Sequence, residues 1–393
     1  MRPAFGTVLR SYRTNRGLTQ EELADRSGLS VRAIRNLEIG RTERPQRQSV
    51  VLLATALRLA EPDRAALLAA AGRRDTTRPA RCELPPDVPD LAGRDHAVAA
   101  ITRVLTTPGA RLGLVDGGPG VGRTALAVHV AHRVRDRFPD GQVFADLTHP
   151  DGILPPEAVL GRVLRSLGTT DLPASRDERA AMLRARLAAR RMLVVLDNVA
   201  SEAQVRPLLT TASPSAILVT SRCGLVALPG ARHVRLGPLD TRAAWQLLAR
   251  LAGRRVLTEP DAANAVIDAC ARLPLALQIA GTWLATRPHR AVTELAALLA
   301  DRALDRLTVA DLSMRASISA HAAELRPAER QLLHQLAHSP EHVNPAEPEF
   351  RDDLDGLAQA NLLTPHGSGY RMNPLVRQYA RELAATPLLR AAQ

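Results

Sequence analysis

The chain has 393 residues, of which 46% are hydrophobic but only 2% aromatic, and it carries a formal net charge of +12. That length predicts two to four domains, each with a core built mainly of Ala, Leu and Val. Its three cysteines are isolated in sequence and no apolar run reaches membrane-spanning length, so we expect a cytoplasmic protein with neither a disulfide framework nor a membrane partner.

The positive charge is concentrated at the N-terminus. Residues 1–80 contain 15 Arg and 8 Asp or Glu, which gives this first part of the chain a net charge of +7. Such an asymmetry is typical of a segment that binds nucleic acid. All 52 basic residues are arginine, which indicates a coding bias toward Arg and against Lys.

Residues 5–72 predict five short helices. Thr19 is the expected N-cap of the second helix, with Glu22 three residues later in the pattern of a capping box, and Ser30 is the expected cap of the third. Gly28 supplies the turn between these two helices. A helix, a glycine-containing turn and a second helix with apolar inner positions predict a helix-turn-helix DNA-binding domain, which we place at residues 1–74.

The run GLTQEELADRSGLSVRAIRNLEIGR resembles the Xre/Cro repressor family. In that family the Gln that opens the second helix contacts the DNA backbone, and residues early in the third helix reach base edges. The DNA-binding residues that the resemblance implies are Gln20, Ser30, Val31, Arg32, Arg35 and Asn36. Arg32 and Arg35 have the long cationic side chains that pair with guanine edges or phosphate. The open alternative is a helical protein-interaction module with a solvated arginine face.

A second domain is predicted after a Pro- and Arg-rich linker at residues 75–90. Residues 91–239 alternate apolar runs of strand length with helical stretches, which predicts an α/β domain with a parallel sheet. Its first strand leads into Gly-Gly-Pro-Gly-Val-Gly-Arg-Thr at 117–124, which matches a phosphate-binding P-loop except that Arg123 stands in the lysine position. The backbone N–H groups of such a loop, with the helix that follows, bind phosphate oxygens.

Two further strands of this domain end in polar residues. The run RMLVVLDN contains Asp197, whose carboxylate we expect to hold Mg²⁺ beside the hydroxyl of Thr124. The run AILVTSR ends in Arg222, a candidate sensor of a terminal phosphate. Because the carboxyl ends of parallel strands meet at one edge of the sheet, we expect these residues in one crevice.

The rest of the chain is predicted to be mainly helical. Residues 240–308 predict an α-helical domain, in which Pro274 begins one helix where another ends. Residues 309–393 predict helices around a hairpin with Gly367 and Gly369 in its turn, the outline of a winged helix. The predicted fold class is therefore multidomain, with an all-α helix-turn-helix head, an α/β P-loop NTPase domain with a parallel sheet, an α-helical domain and a degenerate winged helix.

The order of the motifs LAGR, the P-loop, VVLDN, ILVTSR, LPLALQIAG and YRMNPLVRQYA resembles the NB-ARC branch of the STAND signalling ATPases over about residues 91–385. That branch includes plant disease-resistance proteins and actinobacterial pathway-specific transcriptional regulators. The resemblance implies bound adenine nucleotide, ATP or ADP, with Mg²⁺, and a switch that is closed with ADP and homo-oligomeric with ATP. The nucleotide-binding residues it implies are Gly93, Arg94, Gly117, Gly118, Pro119, Gly120, Val121, Gly122, Arg123, Thr124, Ala125, Arg222, Pro274 and Asn373.

Three departures from the family pattern affect the expected activity. Arg123 replaces a lysine, and its planar guanidinium cannot act as a compact point charge. Asn198 follows Asp197 where many members have a second acid, so these two candidate catalytic residues lack an evident general base. Asn373 replaces a His that contacts ADP, which should weaken the closed state.

We therefore expect a regulator that binds double-stranded DNA and is gated by nucleotide, with at most slow ATP hydrolysis. Two alternatives stay open. One is a signalling ATPase that hydrolyses nucleotide over many turnovers, and the other is an interaction scaffold with a degenerate nucleotide site.

Overall fold

A computed structural model of the chain describes residues 5–42, 45–71, 82–88, 91–107, 109, 111–149, 152–188, 190–209, 213–338, 342–343 and 350–391. These residues belong to two compact units, 1–80 and 81–393. Of the predicted linker, residues 75–81 and 89–90 lie outside the described residues. Within the described ranges, no helix is both long and apolar enough to cross a membrane.

The first unit contains the five predicted helices. They are α1 (Phe5–Asn15), α2 (Gln20–Ser27), α3 (Val31–Glu38), α4 (Arg47–Ala56) and α5 (Glu61–Ala71). The capping box is present, because the Thr19 side chain accepts from the N–H of Glu22 at 3.1 Å while the Glu22 carboxylate accepts from the N–H of Thr19 at 2.7 Å. Gly28 ends α2 at φ 71°, and the Ser30 hydroxyl caps α3. Apolar side chains from all five helices share one buried core.

The second unit is built on a five-stranded parallel sheet, as predicted. Its strands are β1 (Leu112–Gly117), β2 (Gln142–Asp146), β3 (Leu193–Val199), β4 (Ala216–Ser221) and β5 (Arg232–Leu236), in the spatial order β2-β3-β4-β1-β5. The helices of this part are α6 (Asp95–Thr106), α7 (Arg123–Arg133), α8 (Pro156–Ser166), α9 (Arg176–Ala188) and α10 (Glu202–Val205). Because all the strands are parallel, the ends of β3, β4 and β1 lie side by side at one edge.

Five helices follow the sheet. They are α11 (Thr241–Ala252), α12 (Arg255–Thr258), α13 (Pro260–Ala269), α14 (Pro274–Ala285) and α15 (Val292–Arg306). Pro274 occupies the first position of α14, where the missing N–H of proline leaves no helical hydrogen bond unmade.

The C-terminal part has the predicted arrangement of helices around a hairpin. Its elements are β6 (Thr308–Val309), β7 (Leu312–Ser313), α16 (Met314–Ala322), α17 (Pro327–Leu336), β8 (His342–Val343), α18 (Arg351–Gln359), β9 (Leu363–His366), β10 (Gly369–Met372) and α19 (Pro374–Ala391). Strands β9 and β10 form the hairpin, with Gly367 at φ 57° in the turn, and β8 pairs with the other side of β10. Gly369, also predicted in the turn, is instead the first residue of β10, because it pairs with His366.

Two apolar cores cover the two faces of the sheet. One core combines β2 and β3 with α8 and α9. The other is continuous from α6 and α7, through α11 to α15, into the helices of the C-terminal part. Helix α7 follows the P-loop directly, so this shared core holds α16 and α18 close to the sheet edge where the predicted nucleotide site lies.

Candidate functional site

The P-loop joins β1 to α7 at the edge of the sheet. Gly120 and Gly122 have φ values of 72° and 88°, a region that glycine adopts without strain. A Cβ on Gly120 would lie 2.9 Å from the Met314 sulfur, so the loop is packed closely against α16. The first N–H groups of α7 lie at the end of the loop and carry the positive end of the helix, an arrangement that suits phosphate oxygens.

Arg123 turns its guanidinium back onto the P-loop. Its Nη1 donates to the carbonyl oxygens of Gly117 and Gly118, the second at 2.9 Å. Both of its terminal nitrogens lie 3.3 Å from Nε2 of His321. Burial lowers the pKa of Arg123 to about 10, which leaves the side chain charged at neutral pH. Arg123 therefore keeps the positive charge of the P-loop lysine and is anchored to the backbone of the loop.

Thr124 and Asp197 are in direct contact, although 73 positions separate them in sequence. The Thr124 hydroxyl lies 3.0 and 2.9 Å from the two carboxylate oxygens of Asp197, and the Thr220 hydroxyl also donates to this carboxylate. Burial raises the pKa of Asp197, so its charged form would be stabilised by a nearby cation. A hydroxyl and a carboxylate are the oxygen ligands that Mg²⁺ prefers, and these residues therefore fit that ion.

Asn198 bridges two carboxylates beside this site. It sits at φ 59°, and its Nδ2 donates to Asp146 at 3.0 Å and to Asp197 at 3.1 Å. Burial raises the pKa of Asp146, but hydrogen bonds from the backbone of Thr148 and from Asn198 outweigh it and hold that pKa below its usual value. Asn198 therefore positions the acids and offers no base of its own.

A cavity of about 760 Å³ opens beside the P-loop. The residues lining it are Val88, Leu91, Ala92, Arg94, Gly120, Val121, Gly122, Arg123, Thr124, Ala125, Asn198, Leu239, Leu247, Arg250, Leu251, Pro274, Leu275, Gln278, Leu312 and Ser317. The N–H of Leu275 donates to the carbonyl of Gly120 at 3.1 Å, which fixes the start of α14 against the loop. Apolar walls that end at a phosphate-binding loop suit the base and the phosphates of a nucleotide.

Arg94 lines the side of this cavity next to α6, and Gly93 precedes it in the chain. Nη2 of Arg94 donates to the carbonyl of Val121 at 3.0 Å and to that of Gly237 at 2.8 Å. Gly93 sits at φ 67°, and a Cβ there would collide with Ala243 of α11. The structure thus brings Arg94 and Pro274 to the P-loop, while Gly93 packs against α11.

Arg222 follows β4 and is paired with the C-terminal part of the unit. Its Nη1 lies 3.1 Å from Oε1 of Glu324 and 3.2 Å from the carbonyl of Ala320. The backbone carbonyl of Arg222 accepts from Nδ2 of Asn361 at 2.8 Å. The charge of Arg222 adds to the lowering of the Arg123 pKa that burial causes, so the two cationic groups are close together.

Asn373 does not line the cavity, and its hydrogen bonds are made to the first turn of the helix that follows it. Its Oδ1 accepts from the N–H of Leu375 at 2.9 Å, and its carbonyl accepts from the N–H of Arg377 at 3.0 Å. Asn373 therefore caps the first turn of α19. Five further residues predicted to bind nucleotide also lie outside the lining set, namely Gly93, Gly117, Gly118, Pro119 and Arg222.

Sequence reasoning missed three residues of this site, namely Asp146, His321 and Glu324. Asp146 ends β2 in the way that Asp197 lies near the end of β3, and the two are register partners, so the pattern of polar strand ends could have found it. His321 and Glu324 belong to no motif. The packing of α16 against the P-loop brings them to the site.

In the first unit, the predicted DNA-binding residues cluster on and around α3. Val31, Arg32 and Arg35 are exposed, Asn36 is partly exposed, and Ser30 is used as the helix cap. The spacing of positions 31, 32 and 35 places their side chains within about 100° of the helix circumference. These residues can therefore meet one surface together.

Gln20 stands at the start of α2 and is tied to the end of α3. Its Nε2 donates to Glu38 at 2.7 Å, and Glu38 also forms an ion pair with Arg13 at 2.6 Å. The Arg13 and Gln20 hydrogen bonds outweigh the effect of burial and hold the pKa of Glu38 below its usual value. This network fixes α2 and α3 relative to α1.

Comparison with known proteins identifies two domains in the chain. The helix-turn-helix domain matches residues 4–67, and the NB-ARC domain matches residues 94–258. Regulatory protein AfsR from Streptomyces griseus is 42% identical over 322 residues, which are 77% of this chain and 33% of that protein. Regulatory protein AfsR from Streptomyces coelicolor is 39% identical over 351 residues, which are 83% of this chain and 35% of that protein. The chain thus spans about a third of the length of these relatives.

Among solved structures, the chain is similar to a STAND protein with a tetratricopeptide repeat sensor from Pyrococcus horikoshii. The identity is 16% and the TM-score 0.36, over 80% of this chain and 48% of that one. It is also similar to Drosophila ORC bound to DNA, with 16% identity and a TM-score of 0.40, over 76% of this chain and 88% of that one.

Proposed function

We propose that this chain, in which a helix-turn-helix domain precedes an NB-ARC domain, is a cytoplasmic transcription regulator that binds double-stranded DNA and is gated by ADP or ATP. Its similarity to two proteins named Regulatory protein AfsR supports a regulatory role. We assign DNA binding to residues 1–74, nucleotide binding to 91–239, and control of the switch to the helical part at 240–308 and the winged-helix-like part at 309–393. Self-association in the triphosphate state is part of the proposal.

The DNA-binding half of the proposal is supported by the exposure of α3. Arg32 and Arg35 extend from a helix that is capped at Ser30 and held by the core beneath it. A rigid helix with exposed arginines suits the major groove, where Arg pairs with guanine edges. We assign Gln20, which opens α2, a contact with the DNA backbone, as the resemblance to the Xre/Cro family implies.

The nucleotide-binding half rests on one observation above the others. The Thr124 hydroxyl lies within 3.0 Å of the Asp197 carboxylate, and Thr124 lines the cavity together with residues of the P-loop. In P-loop proteins a hydroxyl and a carboxylate in this relation hold Mg²⁺ beside the phosphates. When bound, Mg²⁺ neutralises charge on the β- and γ-phosphates. Thr124 and Asp197 would hold it, while Pro274 and the apolar wall would face the base.

Slow turnover follows from the residues beside this site. The side-chain amide of Asn198 donates to Asp146 and Asp197, and an amide cannot act as a general base toward a water molecule. Arg123 is held by the carbonyls of Gly117 and Gly118 and presents a planar group to the phosphates in place of a mobile ammonium. Binding depends mainly on backbone N–H groups, which the substitution leaves in place.

Arg222 is the proposed sensor of the terminal phosphate, because it is a charged side chain near Arg123 whose partner lies in the C-terminal part. Asn373 stays a predicted contact for ADP. Its hydrogen bonds to the N–H groups of Leu375 and Arg377 are those of a helix cap, so a phosphate contact would require the start of α19 to move.

The test uses the full chain and three measurements. We expect nucleotide released by denaturing fresh protein to be ADP or ATP, and added nucleotide to bind more tightly with Mg²⁺ than with EDTA. Thr124→Val should remove the Mg²⁺ effect and keep the fold. Duplex DNA affinity and oligomer size should differ between the ADP and ATP forms. A chain that binds neither nucleotide and binds DNA identically in all conditions would instead favour the interaction scaffold.

A further inference from the structure

Two arginines of the nucleotide site are held by one short segment of the C-terminal part. The segment runs from α16 into the turn after it and contains His321 and Glu324, which are three residues apart. His321 contacts the guanidinium of Arg123, and Glu324 forms an ion pair with Arg222. Nothing in the P-loop or the sheet itself provides these two partners.

His321 reaches Arg123 as a neutral acceptor. Its Nδ1 lies 2.9 Å from the carbonyl of Ala360, which can only accept, so Nδ1 carries the proton. Nε2 is then free to accept from the two terminal nitrogens of Arg123, at 3.3 Å each. Burial, followed by the charge of Arg123, lowers the pKa of His321 to about 3. The ring therefore adds no charge to the site at neutral pH.

Glu324 is the anion that accompanies Arg222. Its carboxylate is 3.1 Å from Nη1 of Arg222, and both side chains are largely covered, with exposures of 28% and 21%. Arg123 is close enough to Arg222 that the charge of Arg222 contributes, after burial, to lowering the pKa of Arg123. Two adjacent guanidinium groups attract anions, and in this structure Glu324 supplies the negative charge beside Arg222. The charge of Asp197 acts on Arg123.

The same segment is part of a wider contact around the loop after β4. The N–H of Gly224 donates to the carbonyl of Gln359 at 2.9 Å, and Asn361 donates to the carbonyl of Arg222. The end of α18 therefore holds the backbone of Arg222 while Glu324 holds its side chain. A change at the Arg222 side chain has a direct structural route to the C-terminal helices.

We propose that Glu324 and His321 are specificity-determining residues that take the place of a terminal phosphate, holding Arg222 and Arg123 when a nucleoside diphosphate is bound and yielding them to the γ-phosphate of a triphosphate. This inference rests on the proposed function, since it requires the cavity to bind nucleotide. A γ-phosphate bound to Arg222 would lie next to the carboxylate of Glu324, and two neighbouring negative charges repel each other. The diphosphate is therefore favoured until Glu324 leaves, and its departure loosens the C-terminal part.

The experiment measures the affinity of the full chain for fluorescent ADP and for a fluorescent, non-hydrolysable ATP analogue, both with Mg²⁺. Glu324→Gln keeps the size of the side chain and removes the charge, so it should raise triphosphate affinity relative to diphosphate affinity by roughly 5- to 150-fold, the usual range for coupled sites. The matched control is Glu382→Gln, which removes a carboxylate that pairs with Arg315 of α16, away from Arg222. The control should leave the ratio unchanged.

A second variant tests the other contact. His321→Phe keeps a ring but removes the acceptor for Arg123, and it should move the ratio in the same direction as Glu324→Gln. A ratio that stays within twofold of the parent in Glu324→Gln, with both nucleotides still bound, would overturn this inference alone. If the parent chain bound neither nucleotide, the proposed function would fall and this inference with it.

Discussion

The two units of the molecule hold their functional arginines in opposite environments. In the first unit Arg32 and Arg35 are exposed on α3, and their charges face solvent. In the second unit Arg123 and Arg222 are largely covered, and each is satisfied by carbonyls and one side chain from the C-terminal part. Arginine is frequent in both units, and the difference in exposure comes from packing.

This difference determines what each set of arginines can bind and how salt affects the binding. Exposed charges attract a long polyanion, and the release of counterions makes that attraction fall steeply with salt. Covered charges are reached only by an anion small enough to enter the cavity, and they are screened much less. The first unit is thus suited to a DNA duplex and the second to the phosphates of one nucleotide. Four predictions test this contrast.

The largest effect is expected on α3. Replacing both Arg32 and Arg35 by Ala should cost about 1–3 kcal/mol of DNA-binding free energy for each arginine that pairs with a base. It should also flatten the dependence of affinity on salt. Fluorescence anisotropy of a labelled duplex over a salt series measures both quantities. The control is Arg26→Ala, since Arg26 is also exposed but lies on α2. Equal losses in the control would mean that α3 has no special role.

The next effect concerns Arg123. Arg123→Gln removes the charge and should weaken nucleotide binding by about 1.5–3 kcal/mol, the range for hydrogen bonds to charged groups. Arg123→Lys should retain binding and raise the rate of ATP hydrolysis, because an ammonium can approach the phosphates as a point charge. Calorimetry gives the affinities and phosphate release gives the rate. Nucleotide affinity should change little between low and high salt. A salt dependence as steep as that of DNA binding would break the contrast between the units.

A third effect is expected from His321 as pH falls. Its pKa in the folded chain is about 3, against an ordinary value of 6.5. Above pH 6.5 the ring is neutral in both states, but below it the unfolded chain takes up a proton that the folded chain cannot. The free energy of unfolding should therefore fall with pH, by up to about 2 kcal/mol from this group between pH 7.5 and pH 5.

The tryptophan signal makes this measurement specific. Trp245 and Trp283 are the two tryptophans of the chain, and both lie in the second unit. Denaturant unfolding followed by tryptophan fluorescence at both pH values should show a smaller pH dependence in His321→Phe than in the parent. The same slope in both proteins would mean that His321 is protonated in the folded state. Burial also lowers the pKa of His334. The pH dependence of the free energy of unfolding in His334→Phe can therefore be compared with that in His321→Phe.

How far the sequence predicts each region follows from the distance between interacting residues. Thr19 and Glu22 interact across three positions, and Gly28 and Ser30 act on their own helix ends, so the head can be predicted from local rules. In the second unit Thr124 and Asp197 are far apart, but each lies in a recognisable motif at the end of a strand. The geometry of parallel strands brings such motif residues to one edge.

The contacts that the sequence could not predict lack both locality and motif. His321 and Arg123 are 198 positions apart, and Glu324 and Arg222 are 102 apart. Both pairs depend on how α16 packs against the P-loop, which is set by the shared apolar core and not by any pattern near His321 itself. The strand order β2-β3-β4-β1-β5 is also a property of the folded sheet, since β1 pairs with the fourth and fifth strands.

The smallest expected effect concerns Asn373, which is a helix cap in the structure and a predicted contact for ADP. As a cap, its side chain satisfies the N–H of Leu375, so Asn373→Ala should lower the free energy of unfolding by about 1 kcal/mol, as the loss of an N-cap does. Asn373→Asp keeps the acceptor and should preserve stability, while its negative charge would repel a phosphate. As an ADP contact, Asn373 should instead change the release of ADP. Stopped-flow displacement of a fluorescent ADP analogue measures the ADP off-rate, which should stay at the parent's value in Asn373→Asp only if the residue acts as a cap alone. A markedly faster ADP off-rate with unchanged stability would show that Asn373 reaches the nucleotide. The start of α19 would then be part of the nucleotide site, as Arg123 and Arg222 are proposed to be, and not only a structural support.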